Sequence, residues 1–243
     1  MVAMSELALL SPPTAEGVRT LRLNRPDKAN ALSAALVDHL HASLDAIGPE
    51  TLALVIRGEG RNFCAGFDFT GYEQLSEGDL LLRFVHINEL LARLRQARFL
   101  TIAWVAGAAF GAGADIACSC AVRIGTPAAR FRFPGFQFGV ALGTRRLATI
   151  TGAERARAIL LHNEELDAAA ALHCGLLTEL VEAQGPEARV DALVESTRKL
   201  DAASLRKLFA LTDADTADAD LADLVRSVGR RGLHARVAAY RRA

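Results

Sequence analysis

From Val18 to Ile124 the chain switches repeatedly between a two-residue and a helical repeat of apolar side chains, and this constrains its fold more than any other feature. Val18 to Leu23 alternate as a strand does, and after Ser33, a ready N-cap, Leu36, Leu40, Leu44 and Ile47 share one helical face. Thr51 to Arg57 (TLALVIR) is a compact β-rich run. The loop Gly58 to Thr70 follows, and then Leu80, Phe84, Ile87, Leu91 and Leu94 recur at helical spacing. Leu100 to Val105 (LTIAWV) is apolar enough for a strand covered on both faces. It leads through a glycine-rich turn to a short helix near Ala112 to Cys118 and a strand at Val122 to Ile124. Strands separated by helices join as parallel neighbours through right-handed crossovers, leaving the loops at their carboxyl ends to carry a site.

Beyond Gly152 the pattern is helical: Ala153 to Leu161, Asp167 to Cys174 ending at Gly175, and Glu187 to Leu211, with Leu177 to Glu182 strand-like between them. The tail, acidic from Asp213 to Asp223 and basic from Arg226 to Arg242, fits solvated helix faces. A chain of 243 residues, 51% hydrophobic, can bury the core of one large domain. The expected division is an N-terminal arm (1–17), an α/β core (18–185) and a C-terminal helical region (186–243). Its 28 basic residues balance 28 acidic ones, so no global field draws it to nucleic acid or an anionic membrane. Met1 to Pro13 has no basic region ahead of its apolar stretch and does not read as a secretory signal. The longest charge-free run, Leu100 to Ala114, is interrupted by glycines and falls short of the roughly 18 apolar residues of a membrane span. Cys64, Cys118, Cys120 and Cys174 match no zinc or disulfide frame, which fits reduced thiols in a cytoplasm.

Two loops can present bare backbone: Asn62 to Asp68 (NFCAGFD) and Gly107 to Asp115 (GAAFGAGAD). Small residues let a ligand approach the main chain, and amides opening a helix point at developing negative charge. On spacing alone Gly111-x-Gly113 fits either such a turn or tight packing. A dinucleotide fingerprint would want a third glycine where Ile116 stands, and no P-loop lysine follows. No metal, flavin or nicotinamide site is expected.

Leu23 to Leu32 (LNRPDKANAL), Phe63 to Asp68 (FCAGFD), Gly107 to Asp115, Phe131 to Gly139, Gly143 to Gly152 and Ala169 to Val181 resemble, in order, motifs of the enoyl-CoA hydratase/isomerase, or crotonase, family. The resemblance spans residues 18–182. It implies a crotonase-like α/β core of repeated ββα units with a C-terminal helical region that builds a homotrimer or a dimer of trimers. The implied substrate is acyl-CoA or another acyl thioester, whose oxygen would meet the backbone amides of Phe67 and Ala112. Arg25, Lys28, Ala29, Ala65 and Asp68 would lie near the CoA, with Gly111 among the substrate-binding positions. CoA is then part of the substrate and no separate cofactor is required.

The departures from the family bear on chemistry. A two-carboxylate hydratase activates water with one side chain and handles the α-proton with another. The first position here is Asp115, shorter than glutamate by one C–C bond of roughly 1.5 Å. The second is Gly135, which has no titratable group, and the segment Gly139 to Thr144 is shorter than the usual family loop. Asp115 fits an acid/base, a helix cap, or a partner for Arg123 or Arg132. His86 sits between apolar neighbours and fits packing or catalysis. Phe131, Phe133, Phe136 and Phe138 either fill the core or wall an acyl pocket, Phe133 and Phe138 being the candidates for the pocket. The expected function is an acyl-CoA enzyme stabilising a thioester enolate; the alternatives are a carrier that binds fatty acyl-CoA without turning it over, or a structural subunit.

Overall fold

The structure, a computed structural model, describes residues 7–182, 187–213 and 215–242. Its main sheet has six strands in the order β1-β2-β3-β4-β6-β9: β1 (Ala8–Leu10), β2 (Val18–Leu23), β3 (Ala53–Gly58), β4 (Leu100–Val105), β6 (Val122–Gly125) and β9 (Glu179–Leu180). All neighbours pair in parallel except β1, which runs antiparallel to β2 with Ala8 opposite Leu23. The expected loose arm therefore contains an edge strand, because Ala8 buries its side chain in the core while its backbone completes the sheet. Residues 1–6 of that arm lie outside the described residues, as does the expected boundary near 185.

Every residue of β4 is buried, because helices cover both faces of the sheet. One face carries α1 (Ala34–Asp45) and α2 (Glu77–Arg95), which bring Leu36, Leu40, Leu80, Phe84 and Ile87 against Leu21, Leu54 and Ile56. On the other, Val190 and Val194 of α7 (Glu187–Thr197) meet Val55, Ile102 and Trp104. Ser33 caps α1 by accepting from the Leu36 amide at 3.2 Å, and Ser76 with Asp79 forms a capping box on α2.

A second sheet, β5-β7-β8, stands above the carboxyl ends of the first and was not foreseen. Its strands, β5 (Ala108–Phe110), β7 (Arg130–Arg132) and β8 (Leu166–Asp167), are two or three residues long, too short to show a period. Between and after them lie α3 (Ala112–Cys118), α4 (Thr144–Thr151), α5 (Ala153–His162) and α6 (Ala168–His173). The helix expected to run unbroken from Glu187 to Leu211 is two helices, α7 and α8 (Ala202–Thr212). Asp201 divides them: its side chain accepts from the amides of Ala203 and Ser204 at 2.9 and 2.8 Å and starts a new helix. The chain closes with α9 (Ala217–Val228) and α10 (Leu233–Arg242). No helix among the described residues is long and apolar enough to cross a membrane.

Candidate active site

The loop after β3 is bonded into the structure residue by residue. Cys64 donates to the Ala108 carbonyl at 3.0 Å, Ala65 to Ala29 at 2.9 Å and Asp68 to Leu32 at 3.2 Å. From the second loop, Phe110 donates to Cys64 at 2.9 Å and Gly111 to Arg132 at 2.7 Å. Among the amides left without an acceptor in the described residues are those of Phe67 and of Ala112, the first residue of α3. The two loops touch where these amides lie, since a Cβ on Gly66 would stand 3.2 Å from the Ala112 nitrogen and 2.5 Å from the Phe110 oxygen. Gly66 also holds a φ of +86°, which a side chain would resist. Gly113 is glycine because a Cβ there would overlap the Cys64 carbonyl. The two loops thus meet with free N–H donors on both.

Asp115 lies one helical turn further along α3 and is 3% exposed. Burial pushes its carboxyl up to about 8; the Arg146 guanidinium pulls against that and the Asp220 carboxylate adds to it. Its Oδ1 finds no hydrogen-bond partner among the described residues and is pressed against Gly143, where a Cβ would overlap it. Neither expected partner reaches it. Arg123 donates to the carbonyls of Leu176 and Cys120 at 2.8 and 2.9 Å, and Arg132 donates from Nε to Asn163 Oδ1 at 3.2 Å. Asp115 does not cap α3 either, whose N-cap is Gly111. The neighbouring cation is Arg146 of α4, 1% exposed, whose Nε and Nη1 have no hydrogen-bond partner among the described residues and whose ionic contact is Asp220 at 3.6 Å.

The enoyl-CoA hydratase/isomerase family model matches residues 13–237. The chain belongs to the enoyl-CoA hydratase/isomerase family. It is 36% identical over 170 residues to the probable enoyl-CoA hydratase echA6 of Mycobacterium tuberculosis, covering 68% of each chain. A crystal structure from Bordetella parapertussis assigned as an enoyl-CoA hydratase/isomerase superposes with a TM-score of 0.93 at 43% identity, over 97% of this chain and 98% of that one. A Thermobifida fusca protein assigned as an enoyl-CoA hydratase and crystallised with acetoacetyl-CoA gives a TM-score of 0.77 at 26% identity, over 96% and 95% of the chains. The crotonase fold expected from the sequence is thus the fold observed.

Within this family fold a cavity of about 130 Å³ brings together Ala65, Phe67, Gly111, Ala112 and Asp115. Phe133, Phe136 and Phe138 line it as well, whereas Phe131 is wholly buried in the core. Gly135 also faces the cavity, yet it is no vacant seat for a second carboxylate: a Cβ there would stand 2.7 Å from the Val140 carbonyl, part of the shortened segment that folds back onto it.

Arg25, Lys28, Ala29 and Asp68 stand outside the cavity, on the loops behind Ala65. Arg25 is occupied, bridging Asp68 at 2.9 Å and the Ala31 carbonyl at 2.5 Å. Burial alone would raise the Asp68 carboxyl, but hydrogen bonds from Thr70 and Arg25 hold it below its usual range. Lys28 is exposed. His86 is not among the residues lining the cavity; its carbonyl bonds the ring of His41 at 3.1 Å.

Three contributors escaped the sequence reading. Arg83 covers the Phe67 ring at 4.2 Å and donates to the Asp68 carbonyl at 2.9 Å, fixing the loop from behind; its position beside Phe84 on an otherwise apolar helix face was the available signal. Arg146 had no local signal. Tyr240 of α10 packs on Phe138 with ring centroids 5.0 Å apart and closes the cavity, so the region expected to build contacts between copies also roofs the site.

Proposed function

We propose that the protein is an acyl-CoA enzyme that holds the thioester oxygen between the amides of Phe67 and Ala112 and transfers a proton at Cα through Asp115. The observation that carries this reading is that two unpaired amides and one buried carboxyl share a single small cavity. A donor aimed at developing charge is worth about 3 kcal/mol, and backbone donors of this kind need no reorganisation as the enolate forms. The Thermobifida neighbour's acetoacetyl-CoA supports a CoA thioester as the ligand. Lys28, the exposed cation beside Ala29, is then the group to meet a CoA phosphate.

Because burial raises Asp115 to about 8, the group is a neutral acid at pH 7 and a base only above that. A neutral acid suits protonation of an enolate. Activation of water needs a second base, and Gly135 supplies none, so hydration of 2-enoyl-CoA is expected to be slow. A cytoplasmic homotrimer or dimer of trimers is the expected form, and sedimentation checks the assembly.

The test is exchange of the Cα hydrogen of saturated acyl-CoA thioesters in heavy water, with 2-enoyl-CoA thioesters followed for addition of heavy water, read by mass spectrometry. Exchange should rise about tenfold per pH unit up to about 8 and then level off, and Asp115→Asn should lower it by about 10²–10⁴ while affinity is kept. Tight binding with no exchange at any pH would instead establish a carrier of fatty acyl-CoA, the reading that Gly135 and its folded-back loop favour.

A further inference from the structure

A larger cavity, of about 560 Å³, shares no lining residue with the candidate active site. It lies between the end of α2, the end of α8 and the start of α9, and its volume falls within the roughly 300–1,000 Å³ of small-molecule sites. Phe209 and Ala210 give it an apolar wall, and its charged residues are Arg95, Arg98, Arg146, Asp213 and Asp215. The two acids are committed. Asp213 takes the Arg95 fork, with the bond from Nε at 2.9 Å, and Asp215 accepts from the Ala217 amide at 3.2 Å. Arg98 is exposed and bonds nothing among the described residues.

Arg146 is the only described residue that α4 contributes to this cavity, and the end that reaches it is the guanidinium. Its Nη2 stands 3.6 Å from Asp220, one turn along α9 from Thr216 at the cavity wall. Its charge is felt on α2 as well, where burial first and then Arg146 hold the Arg95 guanidinium below its usual range. At 3.6 Å Nη2 is beyond hydrogen-bond reach, and Nε and Nη1 donate to nothing among the described residues. A guanidinium 1% exposed and without hydrogen bonds is costly, and what it lacks is an acceptor. An anion entering beside it also meets the opening turn of the 12-residue α9, whose dipole favours negative charge. Two uncommitted cations at a helix start match the two charges of a phosphate better than the one charge of a carboxylate.

We propose that this cavity binds a phosphate monoester, its phosphate against Arg146 and the start of α9 with Arg98 at the mouth and its organic body along Phe209, and that occupancy acts on Asp115 through Arg146. Arg146 pulls the Asp115 carboxyl down against burial, Asp220 pushes it up, and Cys118 of the same helix feels Asp115 in turn. A phosphate beside Arg146 offsets that pull, so the bound ligand keeps Asp115 protonated to higher pH. A smaller cavity, of about 260 Å³, adjoins the larger one at Arg95, Arg146 and Phe209 and reaches Cys118 and Ser119, one turn beyond Asp115.

The experiment titrates the full chain with phenyl phosphate and with inorganic phosphate at constant ionic strength by calorimetry, and follows the Asp115 carboxyl by NMR. Neither readout depends on the enolate chemistry. Phenyl phosphate should bind about tenfold tighter than inorganic phosphate, because only its ring covers Phe209. Arg146→Met should weaken it at least about tenfold and Arg98→Gln by less, with melting curves establishing that both variants fold. Bound phenyl phosphate should raise the Asp115 midpoint by about half to one pH unit in the wild type and leave it unmoved in Arg146→Met. Equal affinity for the two phosphates overturns the ester and leaves inorganic phosphate as the occupant. Binding that persists in Arg146→Met, or is lost in Lys28→Gln instead, overturns the site, as does no binding to the folded wild type. Binding with an unmoved Asp115 midpoint overturns the link to Asp115 and leaves the site standing.

Discussion

The two walls of the cavity are built in different ways. The wall holding the Phe67 and Ala112 amides is main chain, locked by hydrogen bonds between consecutive loops of one sheet and insensitive to which side chains those residues carry. The other wall is side chain: Asp115 from α3, pressed against Gly143, with Arg146 and Asp220 acting on it from α4 and α9. Backbone donors come with the fold, while the charge state of the acid is set by groups brought together only in three dimensions. The first wall can outlast sequence change that alters the chemistry of the second.

The largest effect expected on the side-chain wall is on stability. Unfolded, Asp115 releases its proton near pH 4; folded, it keeps it to about 8. Between those values the native state binds the extra proton, so stability falls as pH rises, by on the order of 5 kcal/mol across the window if the group must ionise in place. Asp115→Asn removes the titration. Denaturant melts at pH 5 and pH 9 should differ strongly for the wild type and much less for the variant; equal pH dependence in both would show that Asp115 is not buried as described.

On the main-chain wall the corresponding change is Ala112→Pro, which deletes one N–H at the first position of a helix, where proline is tolerated. Enolate exchange should fall about 10²–10³-fold with little change in melting temperature. If exchange persists, the Ala112 amide is not a donor and the comparison between the walls fails. Gly113→Ala tests the packing of the same wall: a Cβ must displace the Cys64 carbonyl, at about 2–3 kcal/mol of stability, read from urea midpoints.

The difference between the walls also explains what could be read in advance. Helix faces such as Leu80, Phe84, Ile87, Leu91 and Leu94, the fully apolar β4 and the Ser33 cap are local patterns, and each was legible. So were the two glycine loops, because close approach of main chain leaves small residues in sequence. The break at Asp201 was missed because a capping aspartate and a solvated one look alike in a polar helix. Asp115 was legible as a residue and wrong in its partners: Arg123, near in sequence, spends its donors on carbonyls, Arg132 turns its Nε to Asn163, and nothing local marks Arg146 or Asp220.

Arg146 gives the smallest and most specific prediction. The charges that act on Asp115 are Arg146 from α4, which lowers its titration point, and Asp220 from α9, which raises it, and Cys118 on α3 feels Asp115 in turn. Arg146→Met should therefore move the midpoint of the exchange profile upward by about one pH unit. Asp220 is not stranded by that change, because Arg145 and Thr216 still bond it at 3.2 and 2.8 Å, so the variant should fold. Asp220→Asn alone should move the midpoint down. The double variant should lie above wild type but below Arg146→Met, since the arginine is the larger of the two opposing influences. A merely structural Arg146 would lower stability without this ordered set of midpoints, and carboxyl titration by NMR gives the same ordering in the absence of substrate.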